Sequence, residues 1–345
     1  YQLAYMQYEV AITARAGSVN VDKKNQDKLK DCYFRPGRCA YKAGNLEKAK
    51  DLLGTAIVWS ATGAPGDPRA IPCREMLGDI YLELGHPDQA IRIYEYYLEN
   101  KFYQQDERGD SLSRVSLKLA RAYLRRFSYG QARELLRQVV RDNPVVLAPG
   151  GKDVVEGPGL EAQRLLAQSY RDEAEVSFVE TRKDKLRSAK TEYLTLLQMN
   201  PNEWDAVRAL AEISFDLADT ENPDSYREAI NFYQKYIESD MVELAEDRDV
   251  VYYRWADCYA RIGDYENAAT ALEKINGTTI PKEMYARSLL LLGECYEKLA
   301  SQNTDEFRKQ YYTQKARKTY KDTIETQDPF AAQVARNRIT LMNIS

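Results

Sequence analysis

The stretch from Tyr252 to Ile275, YYRWADCYARIGDYENAATALEKI, carries a pattern that much of the chain repeats. Its first half spaces apolar residues three and four apart as far as Tyr259, which predicts an amphipathic helix. Gly263 interrupts this spacing, and the same spacing resumes from Ala268 to the end of the stretch. The stretch therefore predicts two short helices joined by a tight turn.

The order of residue types in this stretch resembles the tetratricopeptide repeat (TPR), a helix-turn-helix motif of about 34 residues. Position 8 of its first helix, helix A, and position 20 of its second, helix B, hold Gly or Ala because the helices pack closely there. The position-8 residues are Gly37, Gly78, Ala120, Ala167, Ala211, Ala256 and Gly293. The position-20 residues are Ala49, Ala90, Ala132, Ala189, Ala229, Ala268 and Ala316. The resemblance implies an all-α fold, a right-handed α-solenoid (superhelix) of TPR helix-turn-helix repeats.

The predicted organisation has four parts. Residues 1–16 match the second helix of a truncated repeat, and residues 17–29 form a polar linker. Residues 30–325 hold seven TPR units with insertions, and residues 329–345 form a C-terminal capping helix. The half repeat suggests that the array begins before residue 1, and an N-terminal cap that matches the motif is the alternative. In the fourth, fifth and seventh repeats the extra residues fall between helix A and helix B.

Composition argues against several functions. The chain has 345 residues, a net charge of -4 and a single histidine, His86. It lacks the basic excess of a nucleic-acid binder and an apolar run long enough to insert into a membrane. A single histidine leaves little basis for histidine-based metal sites or for His-dependent acid-base and triad chemistry. Composition thus disfavours histidine-based sites, and the resemblance to the TPR family implies no enzyme, no metal site and no cofactor.

The five cysteines are too scattered to form a disulfide scaffold, which slightly favours a cytoplasmic location. Three of them, Cys39, Cys258 and Cys295, share position 10 of helix A. A metal or redox cluster is one interpretation of this arrangement. Equivalent positions of a solenoid are held apart along its axis, however, so we interpret these cysteines as small buried side chains.

In the TPR family, positions 2, 5, 9, 12 and 13 of helix A line the ligand groove. The resemblance gives these candidate groove residues: Arg38, Tyr41, Arg114, Arg121, Arg125, Arg164, Arg171, Arg208, Tyr253 and Arg261. Family members that bind the C-terminal carboxylate of heat-shock chaperones carry Lys at position 5 and Asn at position 9. No repeat of this chain has that pair, so that partner is not predicted.

The arginines of the third to fifth repeats have two interpretations. They form a recognition surface for an acidic or phosphorylated segment, since guanidinium groups bind carboxylates and phosphates in a bidentate manner. Alternatively they are a solvated face, paired with Asp172, Glu212 and Asp216. The resemblance implies a non-catalytic scaffold that binds a partner protein or an extended peptide. The alternative is a helical accessory domain of a larger cell-envelope assembly or enzyme whose catalytic part lies outside this chain.

Overall fold

The computed structural model describes residues 34–63, 70–104, 110–145, 154–219, 224–239 and 241–344, excepting the side chains of residues 58–63 and 344. The predicted half repeat (1–16), the linker (17–29) and the start of the first repeat lie outside these residues and stay predictions. All elements of the described ranges are helices.

The described ranges contain fifteen helices. They are α1 (residues 34–42), α2 (Leu46–Gly63), α3 (Ala70–Glu83), α4 (Pro87–Glu99), α5 (Ser111–Arg125), α6 (Tyr129–Asp142), α7 (Pro158–Val176), α8 (Val179–Met199), α9 (Trp204–Leu217), α10 (Asp224–Glu238), α11 (Arg248–Arg261), α12 (Tyr265–Leu272), α13 (Lys282–Gln302), α14 (Glu306–Glu325) and α15 (Pro329–Ile344). Two 3-10 turns, Phe102–Gln104 and Met241–Leu244, follow α4 and α10. Odd-numbered helices up to α13 are the A helices, and even-numbered helices are the B helices.

The chain divides into two compact units between Ser177 and Phe178. In the first unit each helix from α2 to α7 packs against the next along the chain, and in the second unit the same holds from α8 to α15. The boundary falls between α7 and α8, the two helices predicted for the fourth repeat. The predicted pairing of Ala167 with Ala189 therefore joins residues of different units and stays a prediction.

Glycine produces the tight turn between helix A and helix B in three repeats. Gly44, Gly85 and Gly263 have φ angles of 78°, 79° and 82°, a left-handed conformation that glycine adopts without steric cost. The side chain of Asp264 then accepts a hydrogen bond from the Asn267 backbone N–H (3.2 Å) and caps α12. The turn predicted from the sequence at Gly263 thus forms with a defined cap.

The close contact between helices explains the small residues of the motif. Each position-20 alanine is fully buried: Ala49, Ala90, Ala132, Ala189, Ala229, Ala268 and Ala316. At position 8, a Cβ added to Gly78 would lie 2.5 Å from Cε1 of Tyr94, and one added to Gly293 would lie 2.5 Å from Cε1 of Tyr320. Both tyrosine rings are fully buried. Glycine at these two positions therefore provides the space that a position-24 tyrosine ring occupies.

The extra residues of the fourth and seventh repeats are mainly helical. Helices α8 and α13 have 21 residues each, and α14 has 20. Only Ser177 and Phe178 separate α7 from α8, and only residues 303–305 separate α13 from α14. The Asp305 side chain caps α14 by accepting from the Phe307 backbone N–H (2.9 Å). The insertions thus lengthen the helices instead of forming long loops.

Candidate functional site

Groove positions of neighbouring repeats lie side by side within each unit. Helix α3 contacts α5 and α5 contacts α7 in the first unit, while α11 contacts α13 and α13 contacts α15 in the second. The A helices of successive repeats are therefore neighbours, and α15 follows α13 in the same way. We name the surface that carries positions 2, 5, 9, 12 and 13 of these helices the A-helix face.

An ion-pair ladder connects α3 to α5 on the A-helix face of the first unit. The nearly buried carboxylate of Glu75 accepts from Arg114 Nε (3.0 Å) and Nη2 (3.3 Å), and Lys118 Nζ lies 2.7 Å from it. Lys118 also donates to Asp79 Oδ2 (2.6 Å), and the Tyr94 hydroxyl donates to Asp79 Oδ1 (2.7 Å). The candidate residue Arg114 is therefore part of a network that holds two repeats together.

Two more candidate arginines of the first unit are also paired. Arg121 Nη2 donates to Glu161 at the start of α7. Arg164 donates to both oxygens of Glu156, with distances of 2.8 and 2.7 Å, and this bidentate contact lowers the pKa of Glu156. Both ion pairs are exposed to solvent, so water and salt screen them and each contributes about 1 kcal/mol or less to stability.

In the second unit, Arg208 lies between two acids. Its Nε donates to Glu212 Oε1 (3.1 Å) on the same helix, and its Nη1 donates to Asp247 Oδ1 (2.9 Å) just before α11. The hydrogen bond from Arg208 lowers the pKa of Asp247. Arg254 Nη1 of the next repeat lies 3.6 Å from Glu212 Oε1. The predicted pairing of Arg208 with Glu212 is therefore present, with Asp247 as an additional partner.

Arg261 lies in the sixth repeat against aromatic rings. Its Nε is 3.0 Å from both carboxylate oxygens of Asp257, one turn earlier on α11. Its guanidinium carbon lies 5.7 Å from the ring centroid of Phe215 and 5.5 Å from that of Tyr226, which are cation-π distances. The neighbouring candidate Tyr253 is half-buried, and burial, followed by the charge of Asp257, raises its pKa.

The remaining candidate residues differ in exposure. Arg38 and Arg125 are exposed, and Arg171 is half-buried. Tyr41 is half-buried and its hydroxyl donates to Glu83 Oε1 (2.9 Å) of the next A helix. Burial and this hydrogen bond raise the pKa of Tyr41. Tyr41 therefore joins neighbouring repeats, as Arg114 does.

A cavity of about 410 Å³ opens on the A-helix face of the second unit. Groove positions 9, 12 and 13 of both the sixth and the seventh repeat contribute to its wall. The cavity is lined by the acids Asp257, Glu294 and Glu297, the bases Arg261, Lys298 and Arg338, and by Ala260, Tyr265, Leu291, Cys295 and Ser301. It brings two candidate helices, α11 and α13, together with the last helix, α15.

Glu294 is the least compensated acid of this cavity. Its side chain is half-buried, and burial raises its pKa, a shift that Arg338 and Lys298 oppose and Glu297 reinforces. Arg338 lies 3.6 Å from a carboxylate oxygen of each of the two glutamates, longer than a hydrogen bond. Glu297 also accepts from the Tyr320 hydroxyl (2.8 Å).

Sequence analysis missed Glu294, Glu297 and Arg338. The motif positions of the seventh repeat identify the two glutamates as groove residues, at positions 9 and 12. No motif position identifies Arg338, because α15 lies outside the seven repeats.

Two of the cysteines at position 10 are buried. Burial raises the pKa of the Cys258 and Cys295 thiols to about 12, so both stay protonated and unreactive at neutral pH. Cys39 is half-buried. Over the ranges that the structure describes, no group of three or more His, Cys, Asp or Glu residues is arranged to hold a metal ion. None of the described helices combines the length and the apolar character that a membrane span requires.

Comparison with known proteins agrees with this architecture. Models of the tetratricopeptide repeat match residues 72–101, 114–144 and 250–276. The crystal structure of a tetratricopeptide repeat protein from Parabacteroides merdae is 16% identical, with a TM-score of 0.50 over 91% of this chain and 99% of that chain. The C-terminal part of a TPR repeat-containing protein from Cytophaga hutchinsonii is 15% identical, with a TM-score of 0.55 over 81% of this chain and 90% of that chain. No curated protein matches the chain in sequence.

Paired helices packed in chain order, with A helices side by side, define a helical-repeat scaffold. Residues 72–101, 114–144 and 250–276 are tetratricopeptide repeats, and the chain has an all-α solenoid fold. Tetratricopeptide repeats build scaffolds for interactions between proteins, and this chain is such a scaffold in general terms.

Proposed function

We propose that the chain is a non-catalytic scaffold that binds an extended segment of another protein on the A-helix face of its second unit. The observation that supports this is the position of the cavity of about 410 Å³. Its wall is formed by groove positions of two successive repeats together with α15. A cavity that combines apolar walls with a few charged side chains suits a side chain of a bound polypeptide.

The acidic partner expected from the arginines stays a prediction. Arg114, Arg121, Arg164, Arg208 and Arg261 each have a carboxylate partner within the chain. An acidic segment would have to displace these carboxylates, and the affinity gained would be only the difference between two similar ion pairs. The proposed binding to the second unit does not depend on an acidic partner.

Site-specific photo-crosslinking tests the proposed face. We would place p-benzoylphenylalanine at Ser301, an exposed residue that lines the cavity, irradiate the chain in native lysate and identify the linked protein. The matched control position is Lys321, which is exposed on α14 outside the cavity lining. We expect a discrete crosslinked partner from Ser301 and none of the same mass from Lys321.

Two outcomes would contradict the proposal. The same partner linked equally from both positions would mean that binding does not use the A-helix face. A partner linked from Lys321 alone would place binding on the B helices. Replacing Leu291 with Trp, which would fill the cavity, should also abolish the Ser301 crosslink while the circular dichroism spectrum stays helical.

A further inference from the structure

Position 9 of helix A carries an acid in four repeats, and the surroundings of these acids differ. The residues are Asp79, Glu212, Asp257 and Glu294. Each of the first two meets a cation from position 6 of the following A helix. Lys118 Nζ lies 2.6 Å from Asp79, and Arg254 Nη1 lies 3.6 Å from Glu212. In each unit, one position-6 cation therefore lies near the position-9 acid of the preceding repeat, in direct contact at Asp79 and at a longer distance at Glu212.

This arrangement ends at the seventh repeat, where position 6 is Leu291. Asp257 consequently has no cation from the next A helix at this position and is paired with Arg261 of its own helix. Leucine is shorter than lysine or arginine, and the cavity lies beside it, with Asp257, Leu291 and Glu294 in its wall. The cavity thus lies where position 6 of the A helix holds an apolar side chain instead of a cation.

We propose that this cavity receives a lysine or arginine side chain of the bound partner, which supplies the missing cation between Asp257 and Glu294. This inference rests on the proposed function, because it identifies the side chain that the A-helix face would recognise. Leu291, Ala260 and Tyr265 offer an apolar wall for the aliphatic stem of the incoming side chain. The charged end would then lie beside Asp257 and Glu294 as Lys118 lies beside Asp79 in the first unit.

The three acids and three bases of the wall cancel formally, so the pairing of each acid decides which charge the cavity favours. Arg261 is bound to Asp257 on both carboxylate oxygens, and Arg338 lies between Glu294 and Glu297. Lys298 is exposed. Burial raises the pKa of Glu294 in spite of Arg338 and Lys298, so a further positive charge beside it would be stabilising. An anion in the same place would meet the carboxylate of Glu294, from which Arg338 lies 3.6 Å away.

A selection from a phage-displayed library of random dodecapeptides on the whole chain tests the inference. We expect enriched peptides that share a lysine or arginine at one position. Fluorescence anisotropy with a labelled, selected peptide then gives Kd. Replacing that basic residue with norleucine should raise Kd by roughly 10- to 100-fold, the effect of losing one hydrogen bond between charged groups.

Variants of the chain give a second measurement. Glu294→Gln should raise Kd for the basic peptide by the same factor. Leu291→Arg should also raise Kd, because it places a position-6 cation of the chain itself inside the cavity. Glu266→Gln is the matched control, because Glu266 is exposed on α12 outside the cavity lining, and Kd should not change. Free spermidine should not displace the peptide at equal concentration, which separates a polypeptide ligand from a small polyamine.

The possible results distinguish the inference from the proposed function. Enriched peptides that crosslink at Ser301 but share no basic residue, or share an acidic one, would overturn the inference and leave the proposed function intact. An unchanged Kd on replacing the basic residue with norleucine would overturn it as well. A selection that enriches no peptide binding to the A-helix face would count against both.

Discussion

Replacing Gly78 with alanine tests the packing between helix A and helix B most directly. The added Cβ would lie 2.5 Å from Cε1 and 2.7 Å from Cζ of Tyr94, far inside the separation of about 3.5 to 4.0 Å at which carbon atoms pack. The ring has little room to move, because it is fully buried and its hydroxyl donates to Asp79 Oδ1 at 2.7 Å. Helix α3 or the ring must therefore shift.

The expected cost follows from two opposing effects. Overpacking a filled core costs about 1 to 3 kcal/mol, and a contact this short belongs near the upper end. Alanine is favoured over glycine inside a helix by about 1 kcal/mol. We expect Gly78→Ala to lower the free energy of unfolding by about 2 kcal/mol. In the control Gly54→Ala, on α2 of the same unit, the Cβ meets no described atom within 4 Å, so stability should rise by about 0.5 to 1 kcal/mol.

Urea unfolding followed by far-ultraviolet circular dichroism measures both changes. Because the two units need not unfold in one step, amide hydrogen exchange in α3 and α4 would assign the Gly78 effect to the second repeat. In a Tyr94→Leu background, which lacks Cε1 and Cζ, the cost of Gly78→Ala should shrink. The reasoning is refuted if Gly78→Ala stabilises the chain as Gly54→Ala does, or if its cost is unchanged beside Leu at position 94.

Three further substitutions test other contacts. Ala268→Leu should lower the free energy of unfolding by about 1 to 3 kcal/mol because Ala268 is fully buried. Glu266→Leu, on the exposed side of α12, should change it little. Equal losses in urea unfolding would show that the assigned register is wrong. Glu75→Gln should cost about 1.5 to 3 kcal/mol because it weakens the contacts with Arg114 and Lys118. Glu47→Gln, in an exposed pair with Lys50, should change stability little, and similar losses for the two would contradict the role assigned to Glu75. Glu294→Gln should raise Tm at neutral pH but not below about pH 4. Because the pKa of Glu294 is raised in the folded state, ionisation of Glu294 lowers the stability of the wild-type chain as pH rises above the unfolded pKa of 4.5, and glutamine removes this loss. A Tm gain that is independent of pH would contradict the assigned cause.

The helix pairs were predictable because the signals are local. Small residues at positions 8 and 20, and glycine in the turn, follow from steric requirements within one repeat. Helix length was less predictable in the inserted segments. Residues 179–184 at the start of α8 are all exposed, so they lack the apolar spacing on which helix recognition depends. Their content of Glu, Lys and Arg favours a helix by intrinsic propensity alone, a weaker signal.

The ion pairs between repeats were not predictable from motif positions. Arg114 and Glu75, Lys118 and Asp79, and Arg208 and Asp247 are each separated by 39 residues. Charge patterns within a helix reveal partners only three or four residues apart. Partners in adjacent repeats depend on the length of the intervening turns and helices, which varies along this chain. The sequence could therefore place the arginines on helix A without showing which carboxylates they bind.

Glu294 shows how the stability of the second unit and its proposed binding are connected. Among the four position-9 acids, Asp79, Glu212 and Asp257 each accept a hydrogen bond from a cationic side chain, while Arg338 stays 3.6 Å from Glu294. A half-buried carboxylate without close compensation costs stability, and such local conflicts are typical of functional sites. Glu294→Gln should therefore increase Tm and weaken binding of a basic peptide together. A variant that gained stability and kept full affinity would show that the charge of Glu294 serves no ligand.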